Sequence, residues 1–180
     1  DDDGARAMLP FVGGAETIAY GMADNPATLR ARAIRSDGAG SRFRLDANGW
    51  GVADVALPMI GSFNVANALC AAGVCLAAGL GLPDVVDGLA NAPAVPGRMA
   101  LIDEGQPFAV VVDYAHTPDA MDKVLRLLRG LYPGRLIVVF GSAGERDVEK
   151  RPAQGAVAAR LADVAVVTSE DPRHEDADAI

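Results

Sequence analysis

The chain has 180 residues, 51% hydrophobic, 22% charged and 5% aromatic, with a formal net charge of −8. This composition suits one large or two small globular domains and excludes a disordered chain, which could not bury enough apolar surface. The negative balance argues against nucleic-acid binding, which needs a basic field. The two cysteines, Cys70 and Cys75, match no metal or redox spacing, and they are expected as buried free thiols in a reducing cytoplasm.

The opening Asp1-Asp2-Asp3-Gly4 lacks the basic and apolar regions of a signal peptide. Residues 29–35, 41–46 and 50–57 alternate polar and apolar between turn clusters, and Asn48-Gly49 is a strong hairpin signal. After Gly61 the period changes. Val65, Leu69, Leu76 and Leu80 predict a tightly packed helix capped by Asn64 and ended by Gly79 and Gly81. The nearly uncharged run from Asn64 to Pro83 is too rich in Ala and Gly for a membrane span. A second short helix follows over 83–89. The sequence Asn91-Ala92-Pro93-Ala94-Val95-Pro96-Gly97 then reads as a domain boundary, dividing the chain into 1–92 and 93–180.

Beyond Arg98 the pattern alternates strand and helix. The apolar runs 108–112, 136–140 and 164–167 read as strands buried on both faces. Thr117-Pro118-Asp119 starts a helix with the stripe Val124, Leu125, Leu128 and Leu131, and a second helix is expected over 147–161. This order predicts a parallel α/β sheet, whose ligands bind beyond the carboxyl ends of the strands. Three segments lie there: 113–118, 141–147 and 169–173. Asp113, Glu145, Asp147, Glu170 and Asp171, with Arg146 and Arg173, suit a ligand bearing both ammonium and carboxylate groups, of which an amino acid is the simplest.

Gly61-Ser62-Phe63-Asn64-Val65-Ala66-Asn67-Ala68-Leu69, Val95-Pro96-Gly97-Arg98-Met99, Asp113-Tyr114-Ala115-His116-Thr117-Pro118-Asp119-Ala120 and Val166-Val167-Thr168-Ser169-Glu170-Asp171-Pro172-Arg173 resemble motifs of the Mur ligase family. So does the run from Phe140 to Pro152. The likeness is strongest to the tripeptide-synthetase (MurE) branch, and it is strong over 58–180 and weak over 1–57. It implies that 1–92 is the later part of a central ATPase domain, built of β hairpins and helices, and that 93–180 is the first half of a Rossmann-like parallel-sheet domain. The opening acids would match the tail of the family's Asn-x-Asp-Asp segment.

The implied activity is ATP-dependent ligation in cytoplasmic peptidoglycan biosynthesis, serving cell-wall growth and division. The D-glutamyl carboxylate of UDP-N-acetylmuramoyl-L-alanyl-D-glutamate is phosphorylated, and the amine of a diamino acid then attacks it. The resemblance assigns Asn64 and Asn67 to adenine, Arg98 to ATP and Asp113 to the ribose. It assigns Arg146, Glu170, Asp171, Pro172 and Arg173 to the incoming amino acid, and His116 to a direct catalytic role or to holding its loop. Asn64, Asn67, Arg98 and Asp113 are expected around one nucleotide cleft.

No G-x-x-x-x-G-K-[ST] phosphate loop occurs, and neither lysine, Lys123 or Lys150, follows a glycine-rich loop. The 180 residues are therefore expected to be an inactive piece of a longer, monomeric enzyme. Its Mg2+ ligands are expected outside the piece, and no metal site within it. The family's Asp-Asn-Pro-Arg is here Glu170-Asp171-Pro172-Arg173. The retained arginine favours meso-diaminopimelate as acceptor, and the added acid leaves lysine or ornithine open. The alternatives are another amide ligase, such as a folylpolyglutamate or cyanophycin synthetase relative, and a non-catalytic binding module.

Overall fold

The computed structural model describes residues 3–22 and 27–180, so Asp1 and Asp2 of the opening acidic segment lie outside the described residues. The chain divides into two compact units, Asp1–Val111 and Val112–Ile180.

In the first unit, α1 (Asp3–Met8) leads to the short strand β1 (Tyr20–Gly21). Strands β2 (Leu29–Asp37), β3 (Gly40–Ala47) and β4 (Gly51–Leu57) form an antiparallel meander, with β1 parallel to β2 at its edge. Local chemistry fixes both turns. Asp37 Oδ1 accepts from the N–H groups of Ala39 and Gly40 at 2.8 and 3.2 Å. Gly49 takes φ +90° in the turn that Trp50 N–H closes on Ala47 O. Alternation along the strands places Leu29, Ala31, Phe43, Leu45, Val55 and Leu57 on one face. Helices α2 (Ser62–Ala77) and α3 (Leu82–Ala90) cover it with Val65, Leu69, Leu76, Leu82 and Val85. Close approach is possible because α2 carries Gly73, where a Cβ would meet Leu29 Cδ1 at 3.3 Å.

Helix α2 ends in a Schellman motif. Leu80 N–H bonds to Cys75 O and Gly79 N–H to Leu76 O, with Gly79 at φ +92°. Its start differs from expectation. Gly61, at φ +98°, is the N-cap, so Asn64 lies inside the first turn and its Nδ2 donates back to Ile60 O at 2.9 Å. The cysteines also differ: Cys70 is exposed, and Cys75 is only half-buried, packed at the margin of the core. Strands β5 (Ala100–Ile102) and β6 (Val110–Val112) form a separate two-stranded sheet.

In the second unit, Thr117 Oγ1 caps α4 (Pro118–Leu131) by accepting from Ala120 N–H at 3.2 Å, and Pro118 fills a first-turn position that needs no donor. Strands β7 (Ile137–Phe140) and β8 (Val164–Val167) pair in parallel, joined by α5 (Lys150–Leu161). The core consists of Met121 and Leu125 of α4 with Val157 and Ala158 of α5, packed on Leu136, Val138 and Phe140. The centre of the α4 stripe is thus Met121, Leu125 and Leu128, with Val124 and Leu131 on its flanks. Helix α5 starts three residues later than expected, because Asp147 Oδ1 accepts from the N–H groups of Glu149 and Lys150 and so ends the preceding loop.

The apolar strands are not buried on both faces. β6 pairs with β5, leaving Val110 and Val112 exposed, and β7 and β8 form a two-stranded parallel sheet with no third strand among the described residues. On β7, Val138 and Phe140 meet the helices, whereas Ile137 and Val139 are exposed beside Val164 and Val166 of β8. Continuous apolar character permits burial on two faces; here helices cover one face of β7, and all four residues of β8 are exposed.

Candidate functional site

Three loops follow the carboxyl ends of β6, β7 and β8: residues 113–117, 141–149 and 168–176. In the first, Asp113 Oδ1 accepts from Ala115 N–H at 2.9 Å, which bends the chain in an Asx turn. The His116 ring packs on Tyr114 with centroids 4.7 Å apart, and its Nδ1 lies 3.0 Å from Tyr114 O. A carbonyl oxygen can only accept, so Nδ1 carries the proton and Nε2 is the ring's remaining polar atom. Lys150 Nζ, from the start of α5, donates to His116 O at 3.3 Å and ties the first loop to the second.

The second and third loops touch along their backbones. Gly144 N–H donates to Asp171 O at 2.8 Å. A Cβ on Gly144 would lie 2.0 Å from Pro172 O, and one on Gly141 would lie 2.4 Å from Thr168 O. Only glycine fits either place. Arg151 donates to both Glu175 oxygens at 3.0 and 2.9 Å, Glu145 N–H donates to Glu175 Oε1, and His174 Nδ1 lies 2.7 Å from Glu145 Oε1. Glu175 is held below the ordinary carboxylate range, first by the Glu145 N–H and then by Arg151. Ser142 Oγ donates to the buried Gln154 of α5 at 3.0 Å, which fixes the base of the second loop.

Among the residues singled out in the sequence, Asp113, His116, Arg146, Glu170, Asp171, Pro172 and Arg173 all stand on these linked loops. Arg146 is exposed, and neither it nor Glu170 makes a side-chain ion pair among the described residues. Arg173 Nε pairs with Asp171 Oδ2 at 3.5 Å. Arg173 and Glu145 have φ of +52° and +54°, a left-handed conformation uncommon for non-glycine residues. No sequence signal gave a role to Arg151, His174 or Glu175. The Arg151–Glu175 pair spans 24 positions, a separation that no local pattern encodes.

In the first unit, Asn64 is buried and its Oδ1 accepts from Asn67 Nδ2 at 3.4 Å, while Asn67 is exposed. Arg98 closes a turn in which Pro96 and Gly97, at φ +71°, are the central residues and Arg98 N–H donates to Val95 O at 3.0 Å. No cluster of three metal-ligating side chains occurs among the described residues.

Residues 1–75 match the Mur ligase middle domain, and residues 97–180 match the Mur ligase glutamate ligase domain. The chain belongs to the Mur ligase family. It is 49% identical over 166 residues to a UDP-N-acetylmuramyl-tripeptide synthetase from Roseiflexus sp. (strain RS-1), a match that covers 92% of this chain and 32% of that relative. It is 42% identical over 175 residues to a UDP-N-acetylmuramoyl-L-alanyl-D-glutamate–2,6-diaminopimelate ligase from Geobacillus kaustophilus, covering 97% of this chain and 35% of that one. A solved structure of a ligase with the same 2,6-diaminopimelate name matches with a TM-score of 0.65 and 34% identity over 98% of this chain and 37% of its own. The chain therefore spans about a third of the length of these Mur ligases. No helix is long and apolar enough to cross a membrane among the described residues.

Proposed function

We propose that this chain is the later part of the central domain (1–92) and the first half of the C-terminal domain (93–180) of an ATP-dependent ligase. The enzyme joins meso-diaminopimelate to UDP-N-acetylmuramoyl-L-alanyl-D-glutamate in the cytoplasm and acts as a monomer. The observation that carries this reading is the linked pair of loops that presents Arg146 and Arg173. A guanidinium fork is built to grip carboxylate, and meso-diaminopimelate has two carboxylates where lysine and ornithine have one. The names of the relatives from Geobacillus and Roseiflexus support it.

The chain's own residues bind and orient. Asn67 presents a free amide edge suited to adenine, and buried Asn64 holds that amide in place. Arg98, on its rigid Pro-Gly turn, offers a cation to phosphate oxygens, and Asp113 offers a carboxylate to ribose hydroxyls. His116, with Nδ1 committed to Tyr114 O, offers Nε2 to the reacting groups. Arg146 and Arg173 hold the acceptor by its carboxylates so that its amine is aimed at the activated carboxyl group, with Glu170, Asp171 and Pro172 shaping the pocket wall. ATP supplies the phosphoryl group that activates the D-glutamyl carboxylate, and Mg2+ is held by residues outside this chain. The effect is entropic: an amine and a carboxyl group are held in attack geometry.

The test is product formation by the full-length enzyme with meso-diaminopimelate, lysine, ornithine or glutamate as acceptor. Selective use of meso-diaminopimelate supports the reading. Selective use of glutamate would assign the chain to a polyglutamate-type ligase, and no turnover with any acceptor would assign it to a binding module.

A further inference from the structure

We infer that Arg151 and Glu175 are positioning residues for the acceptor: their ion pair is the latch that aims Arg146 and Arg173. This inference rests on reading those two arginines as the carboxylate grip. The Glu175 carboxylate meets two partners on two segments. Arg151, the second residue of α5, donates to both of its oxygens at 3.0 and 2.9 Å, and the Glu145 N–H donates to Oε1. The Arg151 side chain is only 12% exposed and that of Glu175 32%, so the pair is partly withdrawn from water, unlike the Lys123–Asp119 pair of α4 at 62% and 75%.

Glu175, anchored by Arg151, controls both arginines through the backbone. Glu175 N–H donates to Pro172 O at 3.0 Å and closes a tight turn whose central residues are Arg173 and His174, with Arg173 at φ +52°. Anchoring the Glu175 side chain on α5 therefore fixes the turn from which Arg173 projects. On the other loop, the bond from Glu145 N–H to Glu175 holds Glu145 at φ +54°, and the direction of Arg146 follows from that conformation because it is the next residue. The His174–Glu145 contact at 2.7 Å adds a second link between the same two loops. Helix α5 is a rigid support for the pair, since Gln154 and Val157 seat it in the core.

The test uses the full-length enzyme with Glu175→Gln, Arg151→Met and Arg151→Lys, each assayed for the KM of meso-diaminopimelate, ATP and the UDP-dipeptide and for thermal melting. The latch predicts that Glu175→Gln and Arg151→Met raise the KM for meso-diaminopimelate at least tenfold, with the other two KM values within twofold. Arg151→Lys, which keeps a charge on Glu175, should recover most of the loss. If Glu175→Gln does not fold, the contrast between Arg151→Met and Arg151→Lys decides alone. All three KM values unchanged, with only a lower melting temperature or active fraction, would make the pair structural and overturn the inference. Arg173→Ala and Arg146→Ala run in parallel separate the two readings. If they raise the acceptor KM and the latch variants do not, only the latch fails; if they leave it unchanged, the carboxylate grip fails and the latch with it.

Discussion

Arg173 Nε lies 3.5 Å from Asp171 Oδ2, so the acid that stands where the family pattern has an amide is an ion-pair partner of the arginine two residues on. Asp171 is well exposed, which keeps the pair weak and leaves Arg173 able to exchange it for a ligand carboxylate. With meso-diaminopimelate as acceptor, Asp171→Asn in the full-length enzyme removes a competitor for Arg173. The acceptor KM is expected to hold or to fall by a factor of up to about 5, corresponding to about 1 kcal/mol. Competition between meso-diaminopimelate and lysine checks this; a shift of preference away from lysine in Asp171→Asn would show that the acid pairs with a terminal ammonium.

Acid should loosen the second unit. Glu175 lies below its ordinary 4.5 because Glu145 N–H and Arg151 donate to it. Asp122 lies below 3.8 through Arg126 and Arg160, and Asp163 lies below 3.8 through Leu136 N–H and Arg129. Each folded value is lower than the unfolded one, so the unfolded chain binds more protons in the interval between them. The stabilisation is complete above the ordinary values and is lost as pH falls through the depressed ones. Melting temperature is expected to be level above about pH 5 and to decline below about pH 4, with a shallower decline in Glu175→Gln measured over the same range.

Two glycines should respond oppositely to alanine. Gly144→Ala puts a methyl 2.0 Å from Pro172 O, a backbone atom that cannot yield without parting the two loops. A loss of about 1–3 kcal/mol, or more, follows. Gly155, inside α5, has nothing within 4 Å of an added Cβ, and Gly155→Ala should gain about 0.5–1 kcal/mol from helix propensity. Chemical denaturation of both variants measures the pair.

Ile137, Val139, Val164 and Val166 are 49%, 63%, 38% and 43% exposed on adjacent strands. The 180-residue chain is therefore expected to bind an apolar dye such as anilinonaphthalene sulfonate. Val139→Thr, which keeps β-branching, should reduce the fluorescence without lowering the melting temperature.

The same valines show what the sequence could and could not convey. Alternation and Asn48-Gly49 made the β2–β4 meander legible, because period and turn chemistry are local. Thr117-Pro118 announced the start of α4 for the same reason. An uninterrupted apolar run reports what a strand tolerates rather than what covers it, so the exposure of β7 and β8 was not readable. Asn64 looked like a cap because asparagine favours that place, yet Gly61 with its positive φ starts α2 earlier. The polar residues of 113–118, 141–147 and 169–173 were legible as types on strand-end loops. Their coupling through Glu175 and Arg151 was not, since it depends on how two loops meet across α5 and β8.

In the proposed function, Arg173 grips a carboxylate of the incoming diamino acid. The most direct test is kcat/KM for meso-diaminopimelate in the full-length enzyme, wild type against Arg173→Ala, with the KM for ATP measured on the same preparations. Loss of a charge-assisted contact of about 2–4 kcal/mol predicts a fall on the order of 30- to 1,000-fold in kcat/KM, carried by the acceptor KM, with the ATP KM unchanged. An unaltered kcat/KM for meso-diaminopimelate, in a variant that folds and binds ATP as the wild type does, would contradict it.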